Sequence, residues 1–167
     1  MKSVSKIALG GGCHWCTEAV FQSLRGVVAV AQGFVASDGT NCTYSEAIIV
    51  HYTPEISLED LIKIHLYTHK CTANHSMRNK YRSAVYTFKE GDKDIIEGIL
   101  KNMQNNFPEK LITKVLSFVS FKPSDKMFHN YYYSNPQKPF CETYIAPKLQ
   151  LLLQKFSKSL KPELVKI

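Results

Sequence analysis

Long hydrophobic runs are missing from this chain. No apolar stretch approaches the ~20 residues that cross a bilayer. Ile7-Ala8-Leu9, behind a charged start, is far too short for the apolar core of a secretory signal. A cytoplasmic protein is therefore expected, where thiols stay reduced and structural disulfides are rare. Acid is scarce as well: 14 Asp and Glu stand against 21 Lys and Arg, a formal charge of +7. Such an excess can serve a nucleic-acid or acidic partner. Here the positive charge is spread. Its one concentration, Lys148, Lys155, Lys158, Lys161 and Lys166 around Glu163, reads as the solvated face of a terminal helix. No arginine–aromatic RNA-binding pattern accompanies it, so neither nucleic acid nor membrane is expected as a partner. No repeat, low-complexity stretch or linker divides the sequence, and 1–167 reads as one domain long enough for a real core. The five cysteines, Cys13, Cys16, Cys42, Cys71 and Cys141, are an odd number at irregular spacings. That argues against a disulfide scaffold and for catalytic or redox use of some of them.

The pattern that is present alternates strands and helices. Lys6–Leu9 reads as a strand, Trp15–Leu24 as a helix ended by Gly26, and Val27–Val35 and Ser45–Tyr52 as further strands. Ser57, followed by Asp60, caps a helix whose apolar stripe is Leu58, Leu61, Ile62, His65, Leu66 and His69. Arg82–Phe88 reads as a strand and Asp92–Gln104 as an amphipathic helix with Ile95, Ile96, Ile99, Leu100 and Met103 on one face. Lys114–Phe121 is a strand, Met127–Tyr133 a short helix, and Thr143–Leu160 a last helix. The order predicts an α+β protein: a ferredoxin-like βαββαβ sandwich core with a helical C-terminal extension.

Cys13 stands where this order turns from strand to helix, after Gly10-Gly11-Gly12 and before His14-Trp15-Cys16-Thr17-Glu18. A cysteine at a helix start faces unpaired N–H groups and the positive end of the helix dipole, which favour a thiolate. Three kinds of site fit Cys13-His14-Trp15-Cys16. A zinc site would need ligands beyond the Cys-x-x-Cys, and the only pair at helical spacing, His65 and His69, lies on an apolar stripe that reads as hydrogen-bonded core. A thioredoxin-like thiol–disulfide oxidoreductase suits the motif but leaves the rest of the chain unexplained.

The third reading draws on the whole sequence. Gly11-Gly12-Cys13-His14-Trp15-Cys16-Thr17-Glu18 resembles the catalytic motif of the peptide-methionine sulfoxide reductases of the MsrA family, which carry Gly-Cys-Phe-Trp and then a small residue. Gly26-Val27 and Gly33-Phe34 resemble that family's helix exit and next strand. Ser45-Glu46-Ala47-Ile48-Ile49-Val50-His51-Tyr52 with Pro54 resembles its acidic strand. His69 and Lys80-Tyr81-Arg82-Ser83-Ala84-Val85-Tyr86 resemble its tyrosine segment, and Asn135-Pro136 with Cys141 its C-terminal turn with a recycling cysteine.

The resemblance implies a repair enzyme that reduces the S epimer of methionine sulfoxide, free or in proteins. Cys13 would attack the sulfoxide sulfur. Glu46, a carboxyl whose pKa burial beside aromatics would raise, would protonate the departing oxygen. Tyr81, matched in the motif, and Tyr44, placed only by its nearness to Glu46, would hydrogen-bond that oxygen. Trp15 and His14 would line the pocket for the S-methyl group. The sulfenic acid left on Cys13 would be resolved by Cys141, the preferred candidate, or by Cys16, and then reduced by thioredoxin, a glutaredoxin or another dithiol. No metal and no bound cofactor are implied, and a monomer is expected. Three departures stand out: His14 replaces the family's Phe, Lys80 its Gln, and Asn74-His75-Ser76-Met77-Arg78-Asn79 the segment that carries an acidic residue. His75 and Ser76 are the candidates to stand in for that acid.

Overall fold

A computed structural model describes residues 3–162. Six strands form one mixed sheet: β1 (Ser5–Gly10), β2 (Val27–Ala36), β3 (Ser45–Tyr52), β4 (Ala84–Thr87), β5 (Lys114–Ser117) and β6 (Ser120–Pro123). Five helices accompany them: α1 (His14–Gln22), α2 (Leu58–Tyr67), α3 (Glu90–Met103), α4 (Tyr131–Ser134) and α5 (Ala146–Lys155). The strands lie in the order β5-β4-β1-β3-β2-β6. β1 and β3 are central and antiparallel to their neighbours, whereas β4 and β5 are parallel and joined through α3.

The short link between β5 and β6 fixes the shape of the sheet. These strands are its two edges, yet only Phe118 and Val119 separate them. Edges of a flat six-stranded sheet lie about 24 Å apart at ~4.8 Å per strand, while three chain steps reach about 11 Å. The sheet must therefore curl until its edges approach each other. The backbone shows where this happens: Phe118 N–H donates to Thr87 at the end of β4, and Val119 N–H to Ala36 at the end of β2. Lys114–Phe121, expected as a single strand, is thus split because consecutive residues bond to opposite sides of the gap.

The core follows the apolar patterning. Ile7, Leu9, Val20, Phe21, Ile48, Val50, Leu61, Ile62, Val85 and Ile96 pack together from β1, α1, β3, α2, β4 and α3. Each such side chain, fully buried, is worth roughly 1.5–3 kcal/mol. Ser57 caps α2, its hydroxyl accepting the Asp60 N–H at 3.0 Å. Two helical expectations are corrected. Ile95 is exposed rather than inward, because the buried stripe of α3 runs through Ile96 and Met103. The last helix is not continuous from Thr143 to Leu160. A π-helical turn over Cys141–Ile145 leads into α5, a 3-10 turn follows at Ser157–Ser159, and Lys166 and Glu163 lie outside the described residues. Met127–Tyr133 likewise divides into a 3-10 turn at Lys126–Phe128 and the short α4.

Candidate active site

β1 ends in the glycine turn, and its neighbours explain the residue choice. A Cβ on Gly10 would lie 3.0 Å from the carbonyl oxygens of both Glu46 and Arg82, so this strand end closes tightly onto β3 and the segment before β4. Gly11 has φ +153° and would drive a Cβ to 2.5 Å from the His69 ring. His69 is fixed in turn by its Nε2 contact to Ser83 Oγ at 2.8 Å, and His65 by Nε2 to the Gly10 carbonyl at 2.7 Å. Both are hydrogen-bonded core histidines, as their stripe predicts, and they brace the turn from below. Burial pushes His65 down to about 4 and holds His69 well below its usual value, so both are neutral.

Cys13 is the N-terminal cap of α1. Its thiol is held below the ordinary value chiefly by a hydrogen bond from the Cys16 side chain, with help from the backbone N–H groups of Trp15 and Cys16. Burial and the Glu46 carboxylate oppose that shift. The same bond, together with burial, drives the Cys16 thiol far upward. Cys16 and Cys141 are buried and share one cluster with Cys13, Trp15, Ala19 and Ile145. All five cysteines are free. The structure thus brings both resolving candidates to Cys13. Cys16 is the candidate whose thiol bonds Cys13, and Cys141 lies buried in the same cluster at the start of the π-helical turn.

Glu46 reaches the same place from β3, 7% exposed. Its backbone N–H donates to the Lys80 carbonyl at 2.9 Å, while the Ser45 hydroxyl donates to that carbonyl and accepts the Arg82 N–H. These bonds tie the Lys80-Tyr81-Arg82 segment to the start of β3 and carry Tyr81 to the site. The Glu46 carboxylate accepts the His14 backbone N–H at 3.2 Å and meets Lys80 Nζ at 3.7 Å. His14 completes the arrangement. Its Nδ1 lies 2.7 Å from the Gly33 carbonyl, which can only accept, so Nδ1 carries a proton. Its Nε2 then faces Glu46 Oε1 at 3.4 Å, and this contact is attractive only when a further proton resides on one of the two groups.

A cavity of about 520 Å³ opens over these groups. Cys13, Glu46, Tyr81, Trp15, Phe34 and Phe128 are among its walls. Trp15 stacks with Phe128 and Tyr131 at 5.0 and 4.4 Å and meets Phe140 edge-on at 5.2 Å. A soft nucleophile, a proton carrier and an aromatic wall therefore face one space. Such a site can accept a polarised sulfur with a small apolar substituent and protonate an oxygen leaving it.

One expected residue is not brought in. Tyr44 is 49% exposed, and its hydroxyl is engaged with Ser120 Oγ at 3.0 Å on β6, away from the cavity. It stands just before β3, and β2, which pairs with both β3 and β6, brings Ser120 within its reach. Ser76 does not line the cavity, and His75 lines a second groove that adjoins the cavity along Cys13, Tyr81 and Phe140. In the segment without the acid, Arg78 ties the loop down, donating to the carbonyls of Gly11, Ala73 and Tyr81. Several contributors escape sequence reasoning. Phe34, Phe128 and Phe140 carry no chemical signature of their own, and Lys80 stands out in the sequence only as a replaced Gln. Glu18 was visible within the motif but without a role. It is 2% exposed, and it accepts from Gln32 Nε2 and from the N–H groups of Asn130 and Tyr131. It thereby anchors the C-terminal segment that packs on Trp15.

Comparison with known proteins agrees with this geometry. A family profile described as peptide methionine sulfoxide reductase matches residues 5–160. The peptide methionine sulfoxide reductase MsrA of Thermus thermophilus is 30% identical over 169 residues, spanning 92% of this chain and 96% of that protein. The MsrA of Trichodesmium erythraeum is 32% identical over 167 residues, spanning 90% and 94%. In fold, the chain is similar to Mxr1 from Saccharomyces cerevisiae in its reduced form, with a TM-score of 0.74, 21% identity, and 84% of this chain and 91% of that chain covered. It is also similar to Mxr1 in complex with Trx2, with a TM-score of 0.61, 20% identity, and 75% and 84% covered. Matched over nearly all of its length, the chain belongs to the peptide methionine sulfoxide reductase family, oxidoreductases that return methionine sulfoxide to methionine.

Proposed function

We propose that Cys13 is the nucleophile, that Glu46 with His14 supplies the proton, and that the thiols of Cys16 and then Cys141 carry the oxidising equivalents away. The observation that supports this most is the shared cavity wall: Cys13, Glu46 and Tyr81 face one space whose apolar side is Trp15, Phe34 and Phe128. The Cys13 thiolate attacks the sulfoxide sulfur. The His14–Glu46 pair delivers its proton to the oxygen, and Tyr81 hydrogen-bonds it. The sulfoxide gains two electrons and leaves as methionine, while Cys13 becomes a sulfenic acid that keeps the oxygen and the proton. Trp15 receives the S-methyl group. The S epimer is the substrate, free or within proteins, since each epimer has its own reductase.

Resolution begins at Cys16. What raises its thiol most is the bond to Cys13, and that restraint ends once Cys13 is oxidised. Cys16 sulfur attacks Cys13 sulfur, the S–S bond forms, and the hydroxyl departs with a proton as water. Cys141, buried in the same cluster, exchanges next. An external dithiol then closes the cycle. Thioredoxin is our choice, guided by the Mxr1–Trx2 complex, with glutaredoxin as an alternative dithiol. No metal or bound organic cofactor enters any step. A reducing cytoplasm suits a reaction that cycles through thiols, and no helix among the described residues is long and apolar enough to cross a membrane. We read the protein as a monomer. We also read its core as ferredoxin-like, on the antiparallel β4-β1-β3-β2 order with α1 and α2 between the strands they join.

The test uses each epimer of a methionine sulfoxide peptide with dithiothreitol, alongside insulin. The expected result is methionine from the S epimer only, with at least one equivalent per chain before reductant is added, since exchange of Cys141 onto Cys16 frees Cys13 as a thiolate again. Insulin disulfides reduced with neither epimer consumed would make the protein a thiol–disulfide oxidoreductase instead.

A further inference from the structure

We propose that a second groove, which adjoins the aromatic cavity along Cys13, Tyr81 and Phe140, admits the external reductant and selects thiols that carry negative charge. The inference rests on the Cys13–Cys16 relay above and specifies its reductant. The groove has a volume of about 380 Å³. Cys13 and Cys16 both line it, whereas only Cys13 of the pair lines the aromatic cavity. A molecule that must reach the Cys16 sulfur therefore comes from this side.

The two spaces differ in charge. In the aromatic cavity Lys80 and Lys122 are matched by Glu46 and Asp125. The groove carries Lys70, Arg78 and Lys148, with His75 beside them and no carboxylate among its lining residues. Two of these cations are held in place. Arg78 donates to the carbonyls of Gly11 and Ala73 at 2.8 Å and of Tyr81 at 2.9 Å, which satisfies the guanidinium without neutralising it. Lys148 donates to the Thr68 carbonyl, and its charge acts on both Cys16 and Cys13. Lys70 is exposed at the mouth. Three cations around a partly enclosed space, two of them hydrogen-bonded in place, raise the local concentration of anions.

The exchange is balanced as follows. An incoming thiolate attacks Cys16 sulfur of the enzyme disulfide, whose other half is Cys141 once the relay has run, and the electron pair of the broken S–S bond leaves with Cys141. A second thiolate attacks the small-molecule sulfur of the mixed disulfide. Its symmetrical disulfide departs, and Cys16 leaves as a thiolate and takes up a proton. The small thiols lose two electrons and the enzyme disulfide gains them.

The experiment uses the full-length enzyme, oxidised by one equivalent of substrate and freed of excess. It is reduced by 3-mercaptopropionate, 2-mercaptoethanol or cysteamine, with rates corrected for each thiol's thiolate fraction and basicity. At low salt the carboxylate thiol should act about tenfold faster than the ammonium thiol, and the gap should shrink with added salt as screening sets in over ~10 Å. Lys70→Glu, an exposed change, should narrow the gap to about twofold and leave the first equivalent of methionine unaffected. Rates that follow thiol basicity alone would overturn the proposal, as would a Lys70→Glu variant that slows all three thiols equally. So would a Lys70→Glu variant that weakens binding of free methionine sulfoxide while keeping the thiol order, because the groove would then hold the substrate's carboxylate. Absence of any disulfide at Cys16 by mass spectrometry would overturn the relay and this inference together, whereas a Cys16 disulfide with no charge preference defeats this inference alone.

Discussion

Replacing Glu46 by Gln separates the proton donor from the nucleophile, because the two respond with opposite signs. The amide keeps the volume of the carboxylate in a site 7% exposed. Both His14 contacts are to Oε1, so an amide oxygen there still accepts the His14 N–H, while the contact to His14 Nε2 loses its carboxyl partner. What is lost is a proton that can move to the sulfoxide oxygen. General-acid contributions run from about 10² to 10⁴ in rate, or roughly 3–5 kcal/mol, and the lower half of that range is expected here, since Tyr81 remains to bond the oxygen. The thiol moves the other way. The Glu46 charge raises the Cys13 pKa, so removing it lowers that pKa further and enriches the thiolate at neutral pH. Rapid-quench measurement of the first equivalent of methionine should show a fall of about 10²- to 10³-fold. Alkylation of Cys13 by iodoacetamide at pH 7 should be as fast as in the parent or faster. If both rates fall together, Glu46 supports the structure of the thiol site and is not its acid. If methionine release is unchanged, it has no part in the step.

Three further outcomes are expected. His65 should make the protein acid-sensitive: it is neutral in both states above its usual 6.5, but between there and about 4 only the unfolded chain takes up the proton. Unfolding free energy measured with urea should therefore fall by about 3 kcal/mol across that window from His65 alone, with His69, held neutral for the same reason, adding to the fall in the same direction, and a flat profile would contradict the buried, neutral assignment. Cys16→Ala removes the largest contribution lowering the Cys13 pKa, so the pH midpoint of Cys13 alkylation should move up; one methionine per chain should still be released, with the sulfenic acid trapped by dimedone. Glu18→Ala takes the charged acceptor away from the part-buried N–H groups of Asn130 and Tyr131. It should lower stability by about 2–4 kcal/mol in thermal or urea unfolding and raise KM more than it lowers kcat, because the Tyr131 side of the Trp15 wall loosens.

The sequence alone determined the places where the chemistry is local. A glycine turn into a helix cap puts a thiol at Cys13 against backbone N–H groups, and the Cys-x-x-Cys spacing brings Cys16 onto the first turn beside it, both within a few residues of chain. Periodicity fixed the elements and the apolar faces of α1 and α2 for the same reason. Tertiary structure decided whatever depends on which distant segments meet. Tyr44 reads like Tyr81 in sequence, but its hydroxyl reaches over the end of β2 to Ser120 at the start of β6. His14 reads as a lost Phe until Gly33 is seen to fix one of its nitrogens and Glu46 to meet the other. Glu18 looks like a surface residue of a helix until a segment 112 residues away folds onto it. Hydrogen bonds and aromatic stacking act over a few ångströms, and only the folded chain brings such partners within that distance.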